Sequence, residues 1–331
     1  MVSYYPLLFK PVIKDYIWGG QRLAGMGRLL PESGKAAESW EISGHPDGMG
    51  TVINGIHAGK TLQALLNELG ADLVGTRNQW ALDRGKFPLL VKLLDADKRL
   101  SVQVHPNDAY ALSHEGNELG KTEMWVVLQA EPDAAIIYGL ERPLTSADLR
   151  EAIRLGDLET CLHLVPIKVG DHICIPAGTL HALLEGAVVA EIQKNSNTTY
   201  RVYDWNRKGA DGKPRPLHIE KALDVINYEQ VGLGLKQAEI IEENAIWRRE
   251  NLCSNRYFTT ERIIAKKATR YSGVCDGSTL EIWGVLVGQA SAAGQRLEAI
   301  QFCLLPAALG EFTVEMSANA VLLRAYTAEQ G

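Results

Sequence analysis

The segment Gly170-Asp-His-Ile-Cys-Ile-Pro-Ala-Gly-Thr-Leu-His181 contains a short apolar run, a tight turn and the beginning of a second strand. Residues 173–175 have the apolar character of a short strand. Pro176 and Gly178 end this strand, because proline cannot donate to a strand ladder and glycine accepts the backbone angles of a tight turn. The chain reverses there and presents His181 at the start of the next strand. The segment therefore predicts antiparallel β structure with a histidine placed directly after the turn.

Similar strand-length apolar runs recur on both sides of this segment, and each is bounded by Gly, Pro, Asp or Asn. They follow one another too densely for alternating strands and helices, which favours a β sandwich or barrel. Residues 301–310 resemble residues 166–178, since in both segments an apolar run ends at a Pro-Ala turn. We therefore expect two barrels. The runs lie at residues 89–94, 100–104, 125–128, 134–138, 163–169, 173–175, 188–192, 282–287 and 301–305.

A few helices are expected as inserts around the first barrel. Residues 61–69 place four leucines on one helical face. Thr145 is a candidate N-cap, since Asp148 follows three residues later, where a carboxylate favours a helix start. A third helix is predicted over residues 217–226. After Tyr228 the sequence becomes polar and acidic, and we interpret residues 229–249 as a connection between a catalytic domain (1–235) and a smaller C-terminal β domain (236–331).

Composition excludes several classes of function. The chain has 331 residues, a net charge of −6 and no apolar run long enough to span a membrane, so nucleic acid and anionic membranes are not expected partners. The first residues do not resemble a secretory signal, and the five cysteines include no C-x-x-C pair. We therefore expect free thiols and a cytoplasmic protein, either monomeric or weakly homo-oligomeric.

Four side chains are candidate metal ligands. On a strand at residues 100–104, alternation places Ser101 and Gln103 on one face together with His105, although a polar outer face of an edge strand would look the same. Glu123 enters an apolar strand, where a carboxylate is ordinarily a solvated end. Together with His181, these groups offer two imidazoles, a carboxylate and an amide oxygen, which suit Zn²⁺. No thiolate is among them, so the site is typical of catalysis rather than of structural zinc.

These residues also resemble a known family. Gly170, Pro176, Gly178 and His181 match the second motif of the cupin superfamily, with Glu185 where that motif usually has asparagine. The larger pattern resembles the type I mannose-6-phosphate isomerases in their short bacterial form, strongly over residues 6–230 and more faintly beyond. It rests on PLLVKLL (88–94), LSVQVHPND (100–108), GKTEMW (120–125), IPAGTLHAL (175–183) and TTYRVYDW (198–205).

The resemblance implies a mainly β double cupin, made of two jelly-roll barrels, that interconverts mannose 6-phosphate and fructose 6-phosphate. It implies metal ligands at Gln103, His105, Glu123 and His181. The family's active-site arginine falls at Arg201, and its proposed proton-transfer carboxylate at Glu191. The positions near the sugar phosphate correspond to Ser101, Lys121 and Arg207.

The chemistry of an aldose-ketose isomerase accounts for these residue types. A base must move a proton between two neighbouring carbons through a cis-enediol, and Glu191 can face the metal site from its strand. A zinc-bound hydroxide is the alternative base, and an ion pair with Arg201 or Lys194 is the alternative role of Glu191. Arg201 would stabilise negative charge on oxygen.

Local cations would explain how an acidic protein binds a phosphate. The candidates are Lys92, Lys121, Arg201 and Arg207. Lys92 could instead be a structural lysine paired with Asp95 or Glu123.

Two other functions remain open from the sequence. One is another metal-dependent cupin enzyme, such as an Fe²⁺ or Mn²⁺ oxygenase. The other is a sugar-binding or regulatory cupin without catalysis.

Overall fold

The computed structural model describes residues 4–209 and 212–328, and most of its regular structure is antiparallel β. The predicted mainly β architecture is confirmed. In chain order, the strands of the described residues are β1 Phe9–Lys10, β2 Val12–Lys14, β3 Glu38–Ser43, β4 Thr51–Val52, β5 Leu89–Ala96, β6 Val102–Val104, β7 Glu123–Ala130, β8 Ala135–Leu140, β9 Leu162–Pro166, β10 His172–Ile175, β11 His181–Leu183, β12 Ala187–Lys194, β13 Tyr200–Tyr203, β14 Glu239–Glu243, β15 Trp247–Ser254, β16 Phe258–Ala265, β17 Thr269–Cys275, β18 Glu281–Val287, β19 Ala290–Ala292, β20 Gln295–Leu297, β21 Gln301–Leu305, β22 Gly310–Met316 and β23 Val321–Thr327.

Helices are short and lie between strands. The α-helices are α1 Leu62–Leu69, α2 Ala71–Val74, α3 Gln79–Leu82, α4 Asp108–His114, α5 Ser146–Leu155 and α6 Ile219–Val225, and 3₁₀ turns cover Arg22–Met26, Pro46–Gly48, Gly55–His57, Thr76–Asn78 and Leu158–Cys161. The three predicted helices correspond to α1, α5 and α6. Thr145 caps α5 as predicted, because its side chain accepts from Asp148 N while Asp148 accepts from Thr145 N. Among the described residues, no helix is long and apolar enough to cross a membrane.

The first unit, formed by the strands up to β13, contains a six-stranded and a five-stranded sheet. Their strand orders are β10-β7-β12-β5-β3-β2 and β13-β6-β11-β8-β9. The two sheets face each other, since Trp125 and Val189 of the first sheet share a core with Ile136 and Leu183 of the second. On β12, Val188, Ala190 and Ile192 belong to a different core on the opposite face. Glu191, two residues after Val189 on the same face of β12, therefore faces the space between the sheets.

The second unit, β14 to β23, has a six-stranded sheet, β14-β15-β16-β23-β18-β21, and a four-stranded sheet, β17-β22-β19-β20. Its first strand, β14, lies inside the stretch 229–249 that we interpreted as a connection. That interpretation is wrong for Glu239–Glu243, which pairs with β15. All five residues of β14 are exposed at the edge of the sheet, so they lack the alternating apolar pattern that marks a half-buried strand.

The two units are packed together and covalently linked. The outer face of β12 shares a core with Leu252, Phe258 and Leu304 of the second unit. Cys174 and Cys253 form a disulfide between β10 and β15, with their Cα atoms 5.8 Å apart. The prediction of five free thiols is therefore wrong for this pair, because the fold brings together two cysteines that are 79 residues apart in sequence. The other three cysteines are free and buried.

Candidate metal and substrate site

Three side chains converge between the two sheets of the first unit. His105, Glu123 and His181 are all buried, and each offers a ligand atom within 4.8 Å of the others. His105 follows β6, while His181 begins β11 directly opposite Gln103 of β6. Glu123 begins β7 on the facing sheet. The predicted motif histidine is thus brought to the other predicted ligands by strand pairing.

Backbone carbonyls orient both imidazole rings. Nδ1 of His105 lies 2.9 Å from Thr198 O, and Nδ1 of His181 lies 2.9 Å from Thr179 O. A carbonyl only accepts, so each Nδ1 carries a proton and each Nε2 is the nitrogen that a metal can bind. Both Nε2 atoms face Oε1 of Glu123, at 3.6 Å and 3.1 Å respectively.

The protonation states of these groups suit a cation. Burial, reinforced by the charge of Lys121, lowers the pKa of His105 to about 3, so this ring is neutral near pH 7. Burial alone would raise the pKa of Glu123, but the charge of Lys121 is the main cause that outweighs it and holds that pKa well below the ordinary value. Glu123 Oε1 and His105 Nε2 have no hydrogen-bond partner among the described residues. Two imidazoles and an ionised carboxylate with unpaired oxygens fit a divalent metal ion.

Gln103 supplies the fourth predicted ligand position. Its Nε2 lies 3.4 Å from Nε2 of His181, and its Oε1 accepts a hydrogen bond from Ser101 at 3.3 Å. Rotating the side-chain amide by 180° turns the oxygen toward the histidines and lets the amide nitrogen donate to Ser101. The structure therefore brings all four predicted metal ligands together.

Glu191 lies beside this cluster on β12 and is 2% exposed. Trp125 Nε1 donates to its Oε2 at 2.9 Å, while Oε1 lies 3.7 Å from Lys92 Nζ and 3.8 Å from Lys121 Nζ. Burial, helped by the negative charge of Glu123, raises the pKa of Glu191. The alternative ion pair with Lys194 is wrong, because Lys194 binds Asp108 instead.

The two lysines next to Glu191 are buried and paired with carboxylates. Lys121 Nζ lies 2.7 Å from Oε2 of Glu123 and thereby bridges Glu123 and Glu191. Burial lowers the pKa of Lys121, but the two carboxylates outweigh it and raise that pKa overall.

Lys92 does not have the partners that we considered for a structural lysine. Its Nζ lies 3.3 Å from Glu38 and 4.4 Å from the ring centre of Trp40. Asp95 binds Arg22 instead. The alternative partners of Lys92 are therefore corrected to Glu38 and Glu191.

A mainly polar cavity of about 220 Å³ opens onto these groups. It is lined by Tyr16, Trp18, Glu38, Lys92, Leu94, Leu100, Ser101, Gln103, Lys121, Trp125, Glu191, Asn197, Thr199, Arg201 and Arg215. A larger cavity of about 710 Å³ between the two units has a mainly apolar lining and includes none of the predicted site residues. The smaller cavity is therefore the candidate substrate site.

Comparisons with known proteins identify the family. The model of the phosphomannose isomerase type I catalytic domain matches residues 7–128. The Bacillus subtilis protein described as "Probable mannose-6-phosphate isomerase GmuF" is 38% identical over 317 residues, covering 94% of this chain and 96% of the relative. The chain belongs to the type I phosphomannose isomerase family. The predicted enzyme class is thereby confirmed.

Two further relatives support the assignment. Mannose-6-phosphate isomerase ManA of Bacillus subtilis is 45% identical over 226 residues, or 68% of this chain and 69% of the relative. The crystal structure of the mannose 6-phosphate isomerase from Bacillus subtilis has a TM-score of 0.86 and 34% identity, covering 97% of this chain and 99% of that one. This likeness over nearly the whole chain confirms the predicted double-cupin fold of this phosphomannose isomerase.

Of the predicted catalytic and phosphate-binding residues, Arg207 is the one that does not line the cavity of this family member. Its guanidinium donates to Asp204 and to Arg99 O, and it lines a neighbouring hollow with Trp205. Its predicted contact with the substrate phosphate stays a prediction. Arg215, in contrast, lines the cavity and was missed, because it lies in the loop segment Pro-Arg-Pro, where no strand or helix periodicity indicates which way a side chain points.

Proposed function

We propose that this protein interconverts D-mannose 6-phosphate and D-fructose 6-phosphate as a zinc-dependent aldose-ketose isomerase. One observation carries the proposal: a polar cavity that contains a buried carboxylate and several cations is also lined by Gln103, which lies beside a His-Glu-His cluster suited to a metal. The names of the relatives specify the same sugar phosphate. The reaction would pass through a cis-enediol, because one base can then serve both carbons.

The metal would be held by Gln103, His105, Glu123 and His181. Nitrogen and oxygen ligands without a thiolate are typical of catalytic zinc, whose positive charge would polarise the sugar carbonyl as a Lewis acid. The carbonyls of Thr179 and Thr198 keep the two imidazoles in the tautomer that binds a metal.

Glu191 is our proposed base. Trp125 holds its Oε2, while Oε1 accepts no hydrogen bond among the described residues and is open to a proton from carbon. In the forward direction Glu191 would take the proton from the carbon next to the carbonyl and return it to the neighbouring carbon. Its raised pKa makes it a stronger base than an ordinary carboxylate.

The cations would stabilise negative charge on the substrate. Arg201 is a positively charged group of the cavity that can face a developing oxyanion. Its Nε is buried and has no acceptor among the described residues. Lys92, Lys121 and Ser101 line the same cavity and are proposed to contact the sugar phosphate.

We also propose the wider setting of this activity. Residues 1–235 would form the catalytic domain and residues 236–331 a second β domain, since each of the two large pairs of sheets draws its strands from one side of this boundary. We further propose a cytoplasmic protein that is a monomer or weak homo-oligomer. Size-exclusion chromatography with light scattering measures the assembly.

A coupled assay of mannose 6-phosphate turnover, with and without chelator, tests the proposed function together with metal analysis of the purified chain. We expect about one zinc ion per chain and loss of turnover after chelation, restored by added Zn²⁺. Full turnover by metal-free protein would refute zinc dependence. Absence of turnover by the zinc-loaded protein would refute the proposed substrate.

A further inference from the structure

We propose that Arg215 binds the phosphate group of the substrate and sets the preference for a phosphorylated sugar. This inference rests on the proposed function, because it names a further residue of the same site. Arg215 lines the cavity that also contains Glu191 and the predicted metal ligand Gln103. It was not among the residues that the sequence pattern or the family resemblance pointed to.

Asp204 holds Arg215 in place. Nε and one terminal nitrogen of Arg215 donate to the two carboxylate oxygens of Asp204, at 2.8 Å and 2.5 Å. This two-point contact fixes the plane of the guanidinium, while its NH1 donates to no acceptor in the part of the chain that the structure describes. Asp204 is therefore a positioning residue, and a donor of Arg215 is left available for a ligand.

The backbone around Arg215 is also constrained and is joined to Arg201. Prolines precede and follow Arg215, which restricts the freedom of the loop. Arg201 donates from NH1 to Pro216 O at 3.0 Å, and His218 N donates to Arg201 O at 2.8 Å. The two arginines are thus presented to one cavity from adjoining segments, so little ordering is needed when a ligand binds.

The arginines beside the cavity carry more positive charge than the acidic side chain that they contact can neutralise, which favours binding of an anion. Arg201, Arg207 and Arg215 surround a single acidic side chain, Asp204, which pairs with the last two. Burial and the positive charge of Arg215 lower the pKa of Arg201, as expected for two guanidinium groups at close range. Three cations and one carboxylate leave an excess of positive charge, which a phosphate dianion would neutralise.

The neighbouring Arg207 is less available, although it shares Asp204. Its Nε and NH2 donate to Asp204, and its NH1 donates to Arg99 O, so all three nitrogens are engaged. It lines a different hollow from Arg215. Substituting each of these two arginines separately therefore tests which of them binds the phosphate.

The experiment compares the wild type with Arg215→Gln, Arg215→Lys and Arg207→Gln. Calorimetry measures the dissociation constant of inorganic phosphate for each protein. Steady-state assays measure kcat and KM with mannose 6-phosphate and with free mannose. Each protein is also titrated after chelation, so that phosphate held by arginine is separated from phosphate held by a metal. Arg150→Gln is the control, because Arg150 is an exposed arginine that pairs with Glu220, and neither residue lines the cavity. Melting temperatures verify that the variants are folded.

We expect Arg215→Gln to weaken phosphate binding and raise KM for mannose 6-phosphate about tenfold to a hundredfold, with a smaller change in kcat and in the turnover of free mannose. Arg215→Lys should recover part of this loss. Unchanged phosphate affinity and KM in Arg215→Gln, or a loss confined to Arg207→Gln, would overturn the proposal. If the wild type fails to turn over mannose 6-phosphate but Arg215→Gln still weakens phosphate binding, the proposed function fails while the anion site stands.

Discussion

Hydrogen bonds to individual atoms orient the side chains of the site. Each histidine gives its Nδ1 proton to a backbone carbonyl, so neither ring can rotate or change tautomer without losing that hydrogen bond. The two oxygens of Glu191 are likewise distinguished, since one accepts from Trp125 and the other faces two ammonium groups. Burial thus keeps His105 neutral near pH 7 and raises the pKa of Glu191.

Glu191→Gln is expected to lower kcat about 10²- to 10⁴-fold, the usual effect of removing a general base. The amide keeps the shape and the contact with Trp125 but cannot accept a proton from carbon. Metal content and phosphate affinity should change little. Glu131→Gln, at an exposed carboxylate paired with Arg22, is the control for loss of one negative charge. Turnover within threefold of wild type would exclude Glu191 as the base and favour a metal-bound hydroxide.

The pH dependence of kcat/KM should show an acid limb above pH 4.5, the ordinary value for glutamate. Burial and the charge of Glu123 raise the pKa of Glu191, so protonation inactivates the base at a higher pH than in water. A bound metal would reduce the effect of Glu123, but burial, the larger cause, would remain. Activity should therefore fall as pH drops through the raised pKa. Metal content is measured in parallel, and a flat profile down to pH 4.5 at constant metal content would contradict this prediction.

The candidate ligands could be predicted from sequence because they lie on or beside strands whose side chains alternate. Gln103 and His105 share a face for that reason, and the turn after Pro176 places His181 opposite Gln103. The loop carrying Arg215 has no such period, and its side chain is oriented by Asp204, a contact that only the folded chain reveals. For the same reason, the true partners of Lys92 could not be read from its neighbours in sequence.

At the scale of elements, the site depends on two sheets that face each other. β6 and β11 supply Gln103 and His181 from the five-stranded sheet, while β7 supplies Glu123 from the six-stranded sheet. Strands with apolar runs are predictable in position, whereas the exposed edge strand β14 has the polar sequence of a connection. An exposed edge strand buries neither face, so its sequence need not alternate between apolar and polar residues. Its pairing with a neighbouring strand therefore cannot be recognised from its own sequence.

A metal held by ligands from both sheets should stabilise the first unit. Removing it with a chelator is expected to lower the melting temperature, since a ligand that binds only the folded state contributes about 2.7 kcal/mol when its free concentration is about 100 times Kd. His181→Ala should melt at the same temperature with and without chelator. His163→Ala, which removes a histidine of β9 that binds Glu141, should respond like the wild type. A wild type whose melting temperature is unaffected by chelation would contradict metal binding at this cluster.

At the scale of the whole molecule, the two units share one apolar interface. β12 carries Glu191 toward the cavity on one face and packs Ala190 and Ile192 against the second unit on the other. A change in the second unit can therefore alter the strand that carries the proposed base. The duplication of barrels was predictable from the repeated turn, but this shared core was not, because apolar runs do not specify which surface they will cover.

The disulfide between Cys174 and Cys253 should add stability to this assembly under oxidising conditions. It closes a loop across 79 residues, and cross-links of this kind typically contribute about 2–4 kcal/mol, mainly by restricting the unfolded chain. Cys174→Ser is therefore expected to lower the free energy of unfolding by about that amount in urea titrations without reductant. With reductant, wild type and variant should unfold together, because both then lack the cross-link. Cys161→Ser, at a buried free cysteine, should show no change that depends on reductant. Five reactive thiols in the unfolded, unreduced protein, instead of three, would contradict the cross-link and show that the interface is held by packing alone.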